Sequence, residues 1–125
     1  MRPSRLQRNN DIRAVLTGRN VVHGPDMVVH AGARAGGGAT ADARGAAGVD
    51  ATRVAVVAGR KVGGAVHRNR AKRRLRAALA GGSFPSGFDV VVVARRGVLS
   101  ADFQSLQAEL EALVNRAAAR VPTAR

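Results

Sequence analysis

Hydrolysis or group transfer needs convergent carboxylates, a metal cluster or an acid–base pair. The eight acids of this 125-residue chain stand singly, except Glu109 and Glu111, which point to different sides of one helix. His23, His30 and His67 show no metal-ligand spacing, and no Cys is present to build a thiolate site. No Ser/His/Asp set suggests itself, so no catalytic residue is assigned. The strand–glycine turn–helix pattern at 53–66 lacks the Gly-Lys-Ser/Thr ending of a nucleotide-phosphate loop. The helix start behind Gly63-Gly64 can still take a phosphodiester on its backbone N–H groups.

The residues able to bind rather than react are concentrated in one run, Arg68-Asn69-Arg70-Ala71-Lys72-Arg73-Arg74-Leu75-Arg76, preceded by Arg60, Lys61 and His67. Its cationic and amide side chains span about two and a half helical turns. Arg forks grip two phosphate oxygens at once, and Asn69 between two arginines suits a ribose hydroxyl or a base edge. An ordinary solvated helix face mixes charge signs four residues apart, whereas no acid occurs between Ala51 and Phe88. Residues 51–88 carry nine Lys/Arg and no acid, which is most of the formal net charge of +13. Such a patch calls for a polyanion. An anionic membrane is the poorer candidate, because Ala and Gly rather than Trp, Phe or Leu flank the basic run. The N-terminus lacks a signal-peptide core and no stretch spans a bilayer, so a cytoplasmic protein without membrane contact is expected. Nineteen Arg against two Lys reflects codon bias as readily as function.

The elements that must present these residues follow from periodicity. Asn9, Asn10 and Asp11 can cap a short helix over about 9–17 that carries Ile12, Val15 and Leu16. Met27–Ala31 reads as a strand with Val21-Val22 leading into it, and Thr52–Ala58 as a second strand. Gly59–Gly64 is a turn. From Ala65 to Ala80 the pattern is helical, with Ala71, Leu75, Ala78 and Leu79 on one stripe and Asn69, Arg70, Arg73 and Arg76 opposite. Lys72 and Arg74 flank the stripe. Asp89–Ala94 is a buried strand. Ser100 can cap a last helix whose apolar stripe runs through Phe103, Leu106, Leu110, Leu113, Val114, Ala117 and Val121. The Ala/Gly-rich segment 32–50 is expected to be a flexible loop. One domain over 1–125 results. Its class is α+β, a two-layer sandwich of a small β-sheet packed by helices in the order α-β-β-α-β-α.

The segment from Gly59 to Arg76 resembles the signature of the bacterial ribonuclease P protein component: Arg60-Lys61, then Gly63-Gly64-Ala65, then Arg68-Asn69-Arg70-x-Lys72-Arg73. Arg5-Leu6 with Asp11-Ile12 and Val15-Leu16 resembles that family's first helix, and Asp89–Arg96 its last strand and basic exit. The likeness covers about residues 5–120 apart from 32–50. It implies a protein without catalysis of its own, working beside a larger catalytic RNA subunit that uses Mg²⁺ to cleave the 5′ leader from precursor tRNA. It also implies a left-handed β-α-β crossover around the basic helix. Carried over by motif, Arg60, Lys61, Arg68, Asn69, Arg70, Lys72 and Arg73 contact the RNA subunit; Arg74 and Arg76 join them from the basic run itself. Ile12, Leu16 and His30 fall where the family lines a leader cleft, mostly with aromatics. The partners implied are the RNA subunit and precursor tRNA, with the protein alone a monomer. The rival readings are a structural ribosomal-type RNA-binding protein, a nucleoid-type DNA binder and a protein-only nuclease.

Overall fold

Four consecutive valines favour extended backbone and a strand covered on both sides, and Val90, Val91 and Val92 are fully buried. They belong to the central strand of a five-stranded sheet. The computed structural model describes residues 4–6, 9–33 and 52–121. In chain order the elements are β1 (Ser4–Arg5), α1 (Asn9–Thr17), β2 (Val21–His23), β3 (Met27–Ala33), β4 (Arg53–Ala58), α2 (Ala65–Ala80), β5 (Phe88–Ala94) and α3 (Phe103–Arg120). Two 3₁₀ turns, Arg60–Val62 and Arg96–Leu99, precede α2 and α3.

The sheet order is β1-β4-β5-β3-β2. β4 runs parallel to β5, with Arg53 opposite Asp89 and Ala58 opposite Ala94. β3 is antiparallel to both β5 and β2. α2 is therefore the crossover between two adjacent parallel strands. One sheet face is covered by α2 and α3: Leu75 and Ala78 meet Leu106, Leu110 and Val114 over Val29, Val54, Val90 and Val92. On the other face the short α1 sets Val15 against Leu6, Ala55 and Val91, with Ile12 and Leu16 half-buried beside them. The expected α+β fold is present, with helices on both faces of the sheet instead of the two layers read from the sequence.

Several local details differ from the reading of the sequence. Val21–His23 is a strand of its own, hydrogen-bonded to β3, and Ser4–Arg5 adds a short parallel edge to β4. Two or three residues carry too little periodicity to announce a strand; tertiary pairing makes them one. Gly32 and Ala33 close β3, and the remainder of the segment read as a loop, 34–50, lies outside the described residues. Ser100 ends the second 3₁₀ turn instead of capping α3; Asp102 caps it, accepting from the Ser105 N–H at 3.1 Å. Phe103 at the helix start is 40% exposed, since the buried stretch begins at Leu106.

A charged pair crosses the two parallel strands. Arg53 donates from Nε to Asp89 Oδ1 at 2.8 Å and from Nη2 to Oδ2 at 2.7 Å. Asp89 is fully buried, a position that a carboxylate occupies only when paired and hydrogen-bonded. That hydrogen bonding holds the Arg53 guanidinium above its usual pKa.

Candidate nucleic-acid interface

The presentation of the basic helix begins in the turn before it. Val62 is buried and pins the 3₁₀ turn, while its neighbours Arg60 and Lys61 stay exposed. Gly63 has φ +140°, a backbone that side chains rarely allow, and a Cβ there would come within 2.8 Å of the His67 ring. Gly64 then starts α2 with no side-chain cap. The amide dipoles of the first turn thus add a partial positive charge beside Arg60 and Lys61.

Along α2, Ala71, Leu75, Ala78 and Leu79 are the buried residues, the stripe read from the sequence. His67, Asn69, Arg70, Arg73 and Arg76 are exposed, and Arg68 and Lys72 are half-buried. Arg74 is placed differently from these. It is half-buried, its Nη2 donates to the Ala101 carbonyl ahead of α3, and its Nε is buried without a hydrogen-bond partner. Its position beside the stripe turns its guanidinium toward protein. Among the described residues the ion pairs are Arg53 with Asp11 and Arg53 with Asp89. Neither involves a cation of α2 or its preceding turn, so no described acid neutralises that charge.

The face that carries α1 is only part-covered. Ile12, Leu16, Val57 and Val93 lie half-buried around the cluster of Leu6, Val15, Ala55 and Val91. By strand alternation His30, opposite Val91 and Val21, lies on this same face, as does His23. His30 is half-buried with Nδ1 buried and unpartnered. Burial, and then the neighbouring His23, holds its imidazole below the usual pKa. At the rim, Arg95 Nη2 lies 3.3 Å from His23 Nδ1, and the Arg95 N–H donates to the Asp26 carbonyl. Ile12, Leu16 and His30 therefore share one surface, separate from the exposed side of α2. Sequence reasoning missed Arg95 and His23 as its rim, because only the pairing of β2, β3 and β5 brings them together. Among the described residues no three His, Asp or Glu side chains cluster to hold a metal ion.

The family model described as Ribonuclease P matches residues 1–118. The ribonuclease P protein component of Symbiobacterium thermophilum is 48% identical over 68 residues, covering 53% of this chain and 59% of that protein. That of Streptococcus pyogenes is 44% identical over 64 residues, covering 50% and 54%. The chain thus spans little more than half the length of these curated relatives. Among solved structures, the RNase P protein from Thermotoga maritima superposes with a TM-score of 0.69 at 26% identity, covering 90% of this chain and 96% of that one. The Staphylococcus aureus RNase P protein shares the fold with a TM-score of 0.67 at 23% identity, covering 90% and 94%. With the signature segment on an exposed, acid-free helix and a family model matching nearly the whole sequence, the chain belongs to the ribonuclease P protein family.

Proposed function

We propose that this protein is the RNA-binding subunit of a ribonucleoprotein endoribonuclease, ribonuclease P, and assists a catalytic RNA subunit in removing the 5′ leader from precursor tRNA. The observation that carries this reading is the set of cations from Arg60 to Arg76, none of which has an acidic partner among the described residues. In this reading Arg60, Lys61, Arg68, Asn69, Arg70, Lys72, Arg73 and Arg76 dock the RNA subunit, and phosphates replace the counterions around them. Arg74 contributes by fastening α2 to the turn before α3. The open face beside α1 takes the leader: Ile12 and Leu16 offer apolar surface, and His30 an imidazole edge.

Mg²⁺ supplies its chemistry in the RNA subunit. No step is assigned to a metal on the protein. The protein acts as a monomer in the cytoplasm, and no described helix is long and apolar enough to cross a membrane.

Reconstitution tests the proposal. Adding the protein to the RNA subunit with Mg²⁺ should accelerate formation of mature 5′ ends, whereas the protein alone should leave precursor intact. Mg²⁺-dependent cleavage by RNA-free protein that survives stringent purification would overturn it, as would selective recovery of ribosomal RNA from cells.

A further inference from the structure

The nine-residue helix α1 is too short to hold its own conformation in water, so its place on the sheet depends on what fastens it. Among the described residues two kinds of contact fasten it. Val15, 6% exposed, packs on Leu6, Ala55 and Val91, an apolar contact that tolerates sliding and rotation. The other is directional. Arg53 is clamped by its two hydrogen bonds to buried Asp89, and this bidentate grip fixes the plane of the guanidinium. Its remaining terminal nitrogen, Nη1, lies 3.6 Å from Asp11 Oδ2 in the first turn of α1. Both side chains are 19% exposed, so the pair is partly shielded from solvent and from salt. Asp11 precedes Ile12 and lies one turn ahead of Val15, so a pull on Asp11 also sets the azimuth of Ile12 and Leu16.

Resting on the assignment of the leader to this face, we infer that Asp11 is a positioning residue, held by the Arg53–Asp89 clamp, which seats α1 and sets the spacing between Ile12/Leu16 and the sheet surface at Val57 and Val93. The width available to a single RNA strand is then decided by a polar latch in the first turn of the helix. Asp11 itself touches no RNA. The sequence alone assigns Asp11 only the ordinary duty of a residue near a helix start.

The test uses the full chain assembled with the RNA subunit, comparing affinity for precursor tRNA bearing a leader with affinity for mature tRNA. Asp11→Asn should reduce the preference for leader-bearing precursor about two- to fivefold, the scale of one partly shielded charge pair. Affinity for mature tRNA and for the RNA subunit should stay unchanged. Amide exchange in the free protein should quicken in α1 while α2 stays protected. Asp11→Glu, which keeps the charge, should restore most of the preference. Full leader preference in Asp11→Asn, or unaltered exchange in α1, would overturn the inference and leave the leader assignment standing. Equal loss on mature tRNA and on the RNA subunit would also overturn it, by showing a general defect. If the wild-type holoenzyme itself shows no leader preference, the assignment of the open face falls and the latch falls with it.

Discussion

Replacing Arg70 and Arg74 in turn by Ala separates the two duties proposed for the arginines of α2. Arg70 is exposed and Arg74 half-buried with its Nη2 on the Ala101 carbonyl. The exposed cations of the turn and helix are Arg60, Lys61, Arg70, Arg73 and Arg76. If these neutralise about five phosphates, log K for the RNA subunit against log salt should have a slope of roughly −4. Arg70→Ala should make that slope shallower by about 0.7–0.9 and leave the melting transition in place. Arg74→Ala should do the reverse. Losing a hydrogen bond from a charged donor and the packed stem should lower stability by roughly 1–3 kcal/mol, with the salt slope unchanged. Filter binding or fluorescence anisotropy across a salt series gives the slopes, and urea unfolding gives the stabilities. A slope change for Arg74→Ala as large as that for Arg70→Ala, without loss of stability, would refute the division. A wild-type slope near zero would refute the basic surface altogether.

Three further outcomes are expected. Leu75 is fully buried between α2, α3 and the sheet, so Leu75→Ala should cost about 2–5 kcal/mol in urea unfolding and weaken RNA binding only through unfolding. Asp89→Asn keeps the shape but leaves Arg53 without its bidentate acceptor, and should destabilise by about 3 kcal/mol; a loss within error would show that the buried pair contributes nothing. The pH dependence carries two opposed contributions. His30 has a lowered pKa in the fold, from burial and then His23. The unfolded chain therefore takes up that proton first, and stability falls as pH drops below about 6.5. Glu109 is raised above its usual value, by burial first and by Asp26. The folded protein binds that proton more readily, so stability rises as pH falls toward the ordinary carboxylate range. His30→Asn should flatten the acid-side decline and Glu109→Gln should steepen it, as read from melting temperature against pH; the opposite order would contradict both assignments.

The local elements were legible because their signals lie within a few residues of one another. The stripe Ala71, Leu75, Ala78 and Leu79 repeats at the helical period, and α2 spans Ala65–Ala80 as that period indicates. Val90–Val93 announces a buried strand by composition alone, and the absence of acids from 51 to 88 marks a strongly basic surface. The direction of Arg74 was not legible, because a residue at the edge of a stripe faces solvent or protein according to what the neighbouring element offers. Here that is the carbonyl of Ala101, 27 residues away. The pairing of Arg53 with Asp89 was equally hidden. Each reads as a charge at the start of an apolar strand, and only the parallel register of β4 on β5, set by the α2 crossover, places them opposite each other across 36 residues of sequence. The same holds for the surface shared by Ile12, Leu16 and His30, which α1 and β3 assemble by packing on one face of the sheet. Periodicity along the chain determines which residues an element buries. Which elements become neighbours is a long-range choice, made by the burial of the whole core, and it was the tertiary structure that decided it.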